Sequence, residues 1–154
     1  MKISTLDRAL LFVMVVLAAY QVAIGIDHLT TLSIAAFTIA FGILIIAGLV
    51  LIILGFDVME SPLVVIVSTI IPLAMSLGLV WERLISLRTI YLAFAIIGFL
   101  AVLITRSIPV SGKVPTVVLA IVHGVAGLTI VLLPVIFTIR GAARPAFLLV
   151  GVGG

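Results

Sequence analysis

From Leu29 to Phe56 the chain runs without a single Asp, Glu, Lys or Arg, and four other stretches share that character. A charge at the centre of a bilayer costs at least about 2.5 kcal/mol, so uncharged runs bounded by charges read as membrane spans. The intervals are Ala9–Ile26 between Arg8 and Asp27, Ile34–Phe56 as the strongest part of the longest run, and Pro62–Trp81 closed by Glu82 and Arg83. Thr89–Thr105 follows between Arg88 and Arg106, then Val114–Ile139, interrupted only by His123 and closed by Arg140. About 20 apolar residues rising ~1.5 Å each cross a hydrocarbon core of ~30 Å. Backbone groups in lipid must bond within their own segment. The alternation of a barrel strand is absent, so the spans are helices.

Composition closes the other routes. Hydrophobic residues are 66% of the chain and charged residues 8%, against about 45–50% and about 25% in soluble domains. So few charges cannot coat a water-soluble fold of 154 residues. A soluble enzyme, a nucleic-acid binder and a disordered linker are excluded together. The absence of cysteine removes disulfides, thiolate metal sites and thiol nucleophiles.

Loops are short, so helices adjacent in sequence pack as antiparallel neighbours. The expected fold is all-α: a polytopic transmembrane bundle of five spans, forming one integral membrane domain over residues 1–154. The run after Lys2 and Arg8 lacks a cleavage site followed by polar sequence, and reads as a retained first helix. The tail, residues 145–154, covers about half a bilayer as helix. It is interfacial, re-entrant against protein, or the start of a sixth helix.

Lys2, Arg8, Arg106 and Lys113 fall on one side of the membrane and Arg83, Arg88, Arg140 and Arg144 on the other. This balance gives the positive-inside rule nothing to weigh. The first helix, with Lys2 and Arg8 before it and Asp27 after it, places the N-terminus in the cytoplasm, in a cell (cytoplasmic) membrane.

No Asp, Glu, Lys or Arg lies inside a span, which removes the buried charges on which many ion-coupled carriers depend. His123 is the exception, nine residues into the fifth span and ~13 Å deep. As a structural residue it hydrogen-bonds across the bundle to Tyr20, Gln21, Ser68, Thr69 or Ser76. As a functional one it contacts a solute path with Ser68, Ser76 and Gln21, or ligates a haem. A haem has a poor second ligand: His28 lies at the interface, and Met75 is ordinary packing filler. Asp27 and His28, with Glu82 as the other carboxylate on that face, fall short of a coordination shell. Neither cofactor nor metal is therefore expected.

Glu60, Ser61 and Pro62 read as a helix start, with Ser61 as cap and proline in the first turn. Trp81 to Arg88 reads as a headgroup-level turn anchored by the tryptophan, its arginines reaching phosphates. Pro72 and Pro134 bend spans three and five. Small residues one turn apart mark close helix contacts: Ala19 and Ala23, Ala36 and Ala40, Ala74 and Gly78, Ala120 and Gly124. His123 then sits beside a closely approached helix at Gly124. These faces serve packing within the chain or contacts with a subunit.

No nucleophile elbow, zinc-protease motif or phosphate-cradling loop occurs, so the chain is not expected to be an enzyme. The expected function is a non-catalytic multi-pass membrane protein that acts by packing. It is an accessory subunit or a self-assembling module whose partners are the lipid bilayer and other membrane subunits or itself, and not nucleic acid. The alternative is a small oligomeric channel or carrier for an uncharged or weakly polar solute. A third reading is a haem-bearing electron-transfer subunit.

Overall fold

The computed structural model describes residues 3–25, 28–108 and 112–153, so Lys2, Asp27 and the centre of the loop between Arg106 and Lys113 lie outside the described residues. Helix α1 covers Thr5–Ile24. It starts four residues before the first apolar run because Ser4 and Asp7 form a reciprocal cap. The Asp7 amide donates to the Ser4 hydroxyl at 3.1 Å, and the Asp7 carboxylate accepts from the Ser4 amide at 3.0 Å. Helix α2 covers Thr31–Leu54, ending where Gly55 takes a left-handed φ of 80° that L side chains resist. A 3-10 turn over Phe56–Glu60 leads to α3, Pro62–Arg83. Ser61 holds the cap position without a side-chain capping bond, so proline in the first turn is what favours the start there.

A second 3-10 turn, Ile85–Leu87, precedes α4, Arg88–Ser107. Helix α5 covers Val114–Ile139. The tail forms a turn over Pro145–Phe147 and a short helix α6, Leu148–Gly153. Among the described residues there is no strand, and five helices are long and apolar enough to cross a membrane.

Helix α3 is the hub. It packs on α2, α4 and α5, whereas α1 packs on α2 alone. Burial follows: eight residues of α3 are buried and two of α1. One core cluster joins Leu73 of α3 to Ala95 and Val102 of α4 and to Val122 and Ala126 of α5. A second joins Leu79 and Val80 to Ile130 and Leu133.

Three glycines permit the close approaches. A Cβ at Gly48 would stand 2.5 Å from Val15 Cγ2, one at Gly78 would stand 2.8 Å from the Phe37 ring, and one at Gly98 would stand 3.2 Å from Val122 Cγ2. Lipid gives apolar helices no hydrophobic reason to associate, so such contacts carry the association by dispersion.

The tail turns back along α5. A Cβ at Gly151 would lie 3.1 Å from the Val131 carbonyl oxygen. Val131 is eight residues before the end of α5, so this contact is ~12 Å down the helix.

Candidate functional site

Alternation of direction brings the end of α1, the start of α2, the end of α3 and the tail to one end of the bundle. A polar staple closes α2 onto α3 there. Glu82 Oε1 accepts from the Thr30 amide at 2.9 Å and from its hydroxyl at 2.8 Å. The Thr30 hydroxyl uses its one proton in the bond to Glu82. The fully buried Ser33 hydroxyl lies 3.1 Å from it and 3.4 Å from the Gly78 carbonyl, and Ser33 also acts on the Glu82 carboxylate.

The arginines nearby engage aromatic rings of the protein itself. The Arg83 guanidinium lies 5.8 Å from the Phe137 ring centroid and 5.0 Å from that of Phe147. Arg88 donates from Nε to the Trp81 carbonyl at 2.6 Å and lies over the Trp81 ring. The turn after Trp81 is thus held by internal contacts at both arginines.

Beside the staple is a cavity of about 490 Å³. Its rim carries Gln21, His28, Glu82 and Arg83, and its inner walls are Phe37, Phe41, Met75, Leu79, Phe147 and Val150. Gln21 also donates to the Gly25 carbonyl at 3.3 Å, which fixes its side chain at the end of α1. Phe41 is ten residues into α2 and Met75 eight residues before Arg83, so the walls reach ~12–15 Å below the charged rim. A second hollow, about 310 Å³ between α2, α3 and α4, is lined by apolar residues alone, among them Ala36, Leu73 and Phe99.

Of the residues expected along a solute path, Gln21 lines the polar cavity, while Ser68, Ser76 and His123 do not. Ser68 donates to the Val65 carbonyl at 3.1 Å, Thr69 to the same carbonyl at 2.7 Å, and Ser76 to the Pro72 carbonyl at 2.6 Å. Each hydroxyl donates to a carbonyl of its own helix, and the expected cross-bundle bond to His123 does not form among the described residues. Tyr20 points outward, 61% exposed. His123 Nδ1 is shielded from solvent and has no hydrogen-bond partner among the described residues. Met75, the other conceivable haem ligand, packs on the Leu79–Ile130–Leu133 cluster. That level on α5 is seven or more residues from His123, ~10 Å along the axis, so the two do not face one iron.

The small-residue faces divide. Ala36, Ala40, Ala74 and Gly78 are buried inside the bundle, while Ala19, Ala23, Ala120 and Gly124 are exposed. The expectation of a helix passing close to Gly124 within the chain is corrected: a Cβ there would meet nothing within 4 Å. The reason is angular. The stripe of α5 that faces the bundle is Val122, Ala126, Ile130 and Leu133, and two residues from Val122 is a turn of about 200°. Ala120 and Gly124 therefore share the opposite face.

Three features are not expected from the sequence: the Thr30–Glu82 staple, the Arg83 ring contacts and the notch at Gly48. Gly48 had a weaker signal, a small residue eight positions after Ala40 with Leu44 between them. No group of three His, Cys, Asp or Glu side chains that could hold a metal occurs among the described residues.

The fold and the composition define the class as a multi-pass helical membrane protein. No protein-family model matches the chain, and neither a curated protein nor a solved structure matches it.

Proposed function

We infer that the protein is a non-catalytic membrane module that acts by packing against other membrane helices, either those of a larger complex or its own copies. The observation that carries this reading is the division of the small-residue faces. Two serve contacts inside the chain, and two, Ala19 with Ala23 and Ala120 with Gly124, stand ready on the outside. A small residue facing lipid gains nothing over leucine, whereas one facing a helix lets the backbones approach. The bonding of Ser68, Thr69 and Ser76 to their own helix carbonyls, with no base beside them, favours a non-catalytic role.

The chain has no cysteine, so single-cysteine variants report cleanly on neighbours. Ala23→Cys and Gly124→Cys, cross-linked in native membranes, are expected to join the chain to a second copy or to one discrete larger partner. The reading fails if neither position cross-links and both are labelled freely by lipid-soluble thiol reagents.

A further inference from the structure

The polar cavity combines two features that seldom suit the same ligand: a charged rim and an aromatic, aliphatic interior. We propose that it binds one phospholipid with a phosphoethanolamine headgroup. The phosphate sits at Arg83, the primary ammonium at Glu82, and an acyl chain runs down between Phe41 and Met75. This rests on a different observation from the packing reading and stands apart from it.

Depth selects a lipid. The walls descend ~12–15 Å from the rim, which is half of a ~30 Å hydrocarbon core, the reach of one leaflet. A soluble metabolite would leave the interior at Phe41 and Met75 unfilled. A wholly apolar solute would cover the Arg83 guanidinium without giving it an acceptor, a costly arrangement. At about 490 Å³ the cavity lies within the range of small-molecule sites.

Charge selects the headgroup. The Arg83 guanidinium carbon lies over the Phe137 and Phe147 rings, and its N–H groups, on an exposed side chain, have no hydrogen-bond acceptor among the described residues. A guanidinium stacks through its faces and donates through its edge, so a phosphate is the group that completes it. Glu82 has its Oε1 taken by Thr30, with Ser33 and the Arg88 charge also acting on the carboxylate, and its remaining lone pairs can take a further donor. A primary ammonium supplies that donor. A choline ammonium has no N–H, and a phosphoglycerol headgroup brings no cation to Glu82.

The test uses the full chain in dodecyl maltoside, with lipid binding read by native mass spectrometry and by the lipid-induced rise in melting temperature. Phosphatidylethanolamine is expected to bind one per chain and about tenfold more tightly than phosphatidylglycerol or phosphatidylcholine, the worth of one charge-assisted hydrogen bond. Arg83→Gln should weaken phosphatidylethanolamine by a similar factor. Glu82→Gln should bring phosphatidylethanolamine and phosphatidylglycerol to parity, and both variants are read against their own lipid-free baselines. Equal binding of the three lipids to the wild type overturns the headgroup assignment. Equal effect from glycerophosphoethanolamine, which has no acyl chain, overturns the lipid assignment in favour of a soluble phosphate ester. Unaltered binding in Arg83→Gln overturns the site itself.

Discussion

The guanidinium of Arg83 lies 5.0 Å from the ring centroid of Phe147, joining the end of α3 to the segment that follows α5 across 64 residues of sequence. The tail packs along α5, and this contact adds a link from it to the hub helix. Phe147→Leu keeps apolar bulk but removes the ring face, and should cost about 0.5–1 kcal/mol. In an Arg83→Gln background the same change should cost distinctly less. A double-mutant cycle on denaturant unfolding in mixed micelles measures the coupling, and strict additivity of the two changes would rule the contact out as a source of stability.

Gly48 and Gly124 make a matched pair of glycines in apolar helices. Gly48→Leu drives a branched side chain into Val15 and Met14, and overpacking of this kind costs about 1–3 kcal/mol. Gly124→Leu enters open space and should leave the isolated chain as stable as wild type or slightly more so, since leucine favours helix over glycine. Thermal unfolding in detergent ranks them. A Gly124→Leu protein as damaged as Gly48→Leu would contradict the outward placement of that face.

The Thr30–Glu82 staple fixes the first turn of α2, which has no side-chain cap of its own. Glu82→Ala should therefore raise amide hydrogen exchange over residues 30–33 several-fold while leaving the centre of α2 unchanged. Glu82→Gln keeps an acceptor oxygen and should stay close to wild type. Exchange at Thr31 and Ser33 that does not respond to Glu82→Ala would show that the staple bears no load.

His123 buries a ring nitrogen without a partner among the described residues. Such an atom costs free energy, because its hydration is lost and no bond replaces it. Replacing the ring by an apolar side chain of similar length, His123→Met, should leave stability unchanged or raise it by up to about 1 kcal/mol. A clear loss on thermal unfolding would mean that the imidazole has a partner in the membrane.

The number and order of the spans were legible in the sequence because charge alone delimits them, and hydrocarbon enforces that rule strictly. Their ends were less legible. A charged residue at headgroup depth does not stop a helix, so α1 runs back through Asp7 and Arg8, and α3 runs on through Glu82 and Arg83. Facing was least legible. Helix α2 is apolar all round, and small residues at Ala40 and Gly124 look alike in sequence, though one is buried and the other is not. The cavity was hidden for another reason: Gln21, Glu82 and Phe147 come from three distant segments, and only their shared side of the membrane linked them beforehand.

The neighbour relations of the helices carry a consequence for biosynthesis. Among the described residues each spanning helix after the first packs on the one made just before it, and α5 also packs on α3. Translation proceeds from the N-terminus, so α2 emerges to find α1 waiting, α3 finds α2, α4 finds α3, and α5 finds both α3 and α4. Each span after the first meets at least one companion already made. Assembly can keep pace with synthesis, and the segment carrying Phe147 settles over Arg83 once α5 is in place.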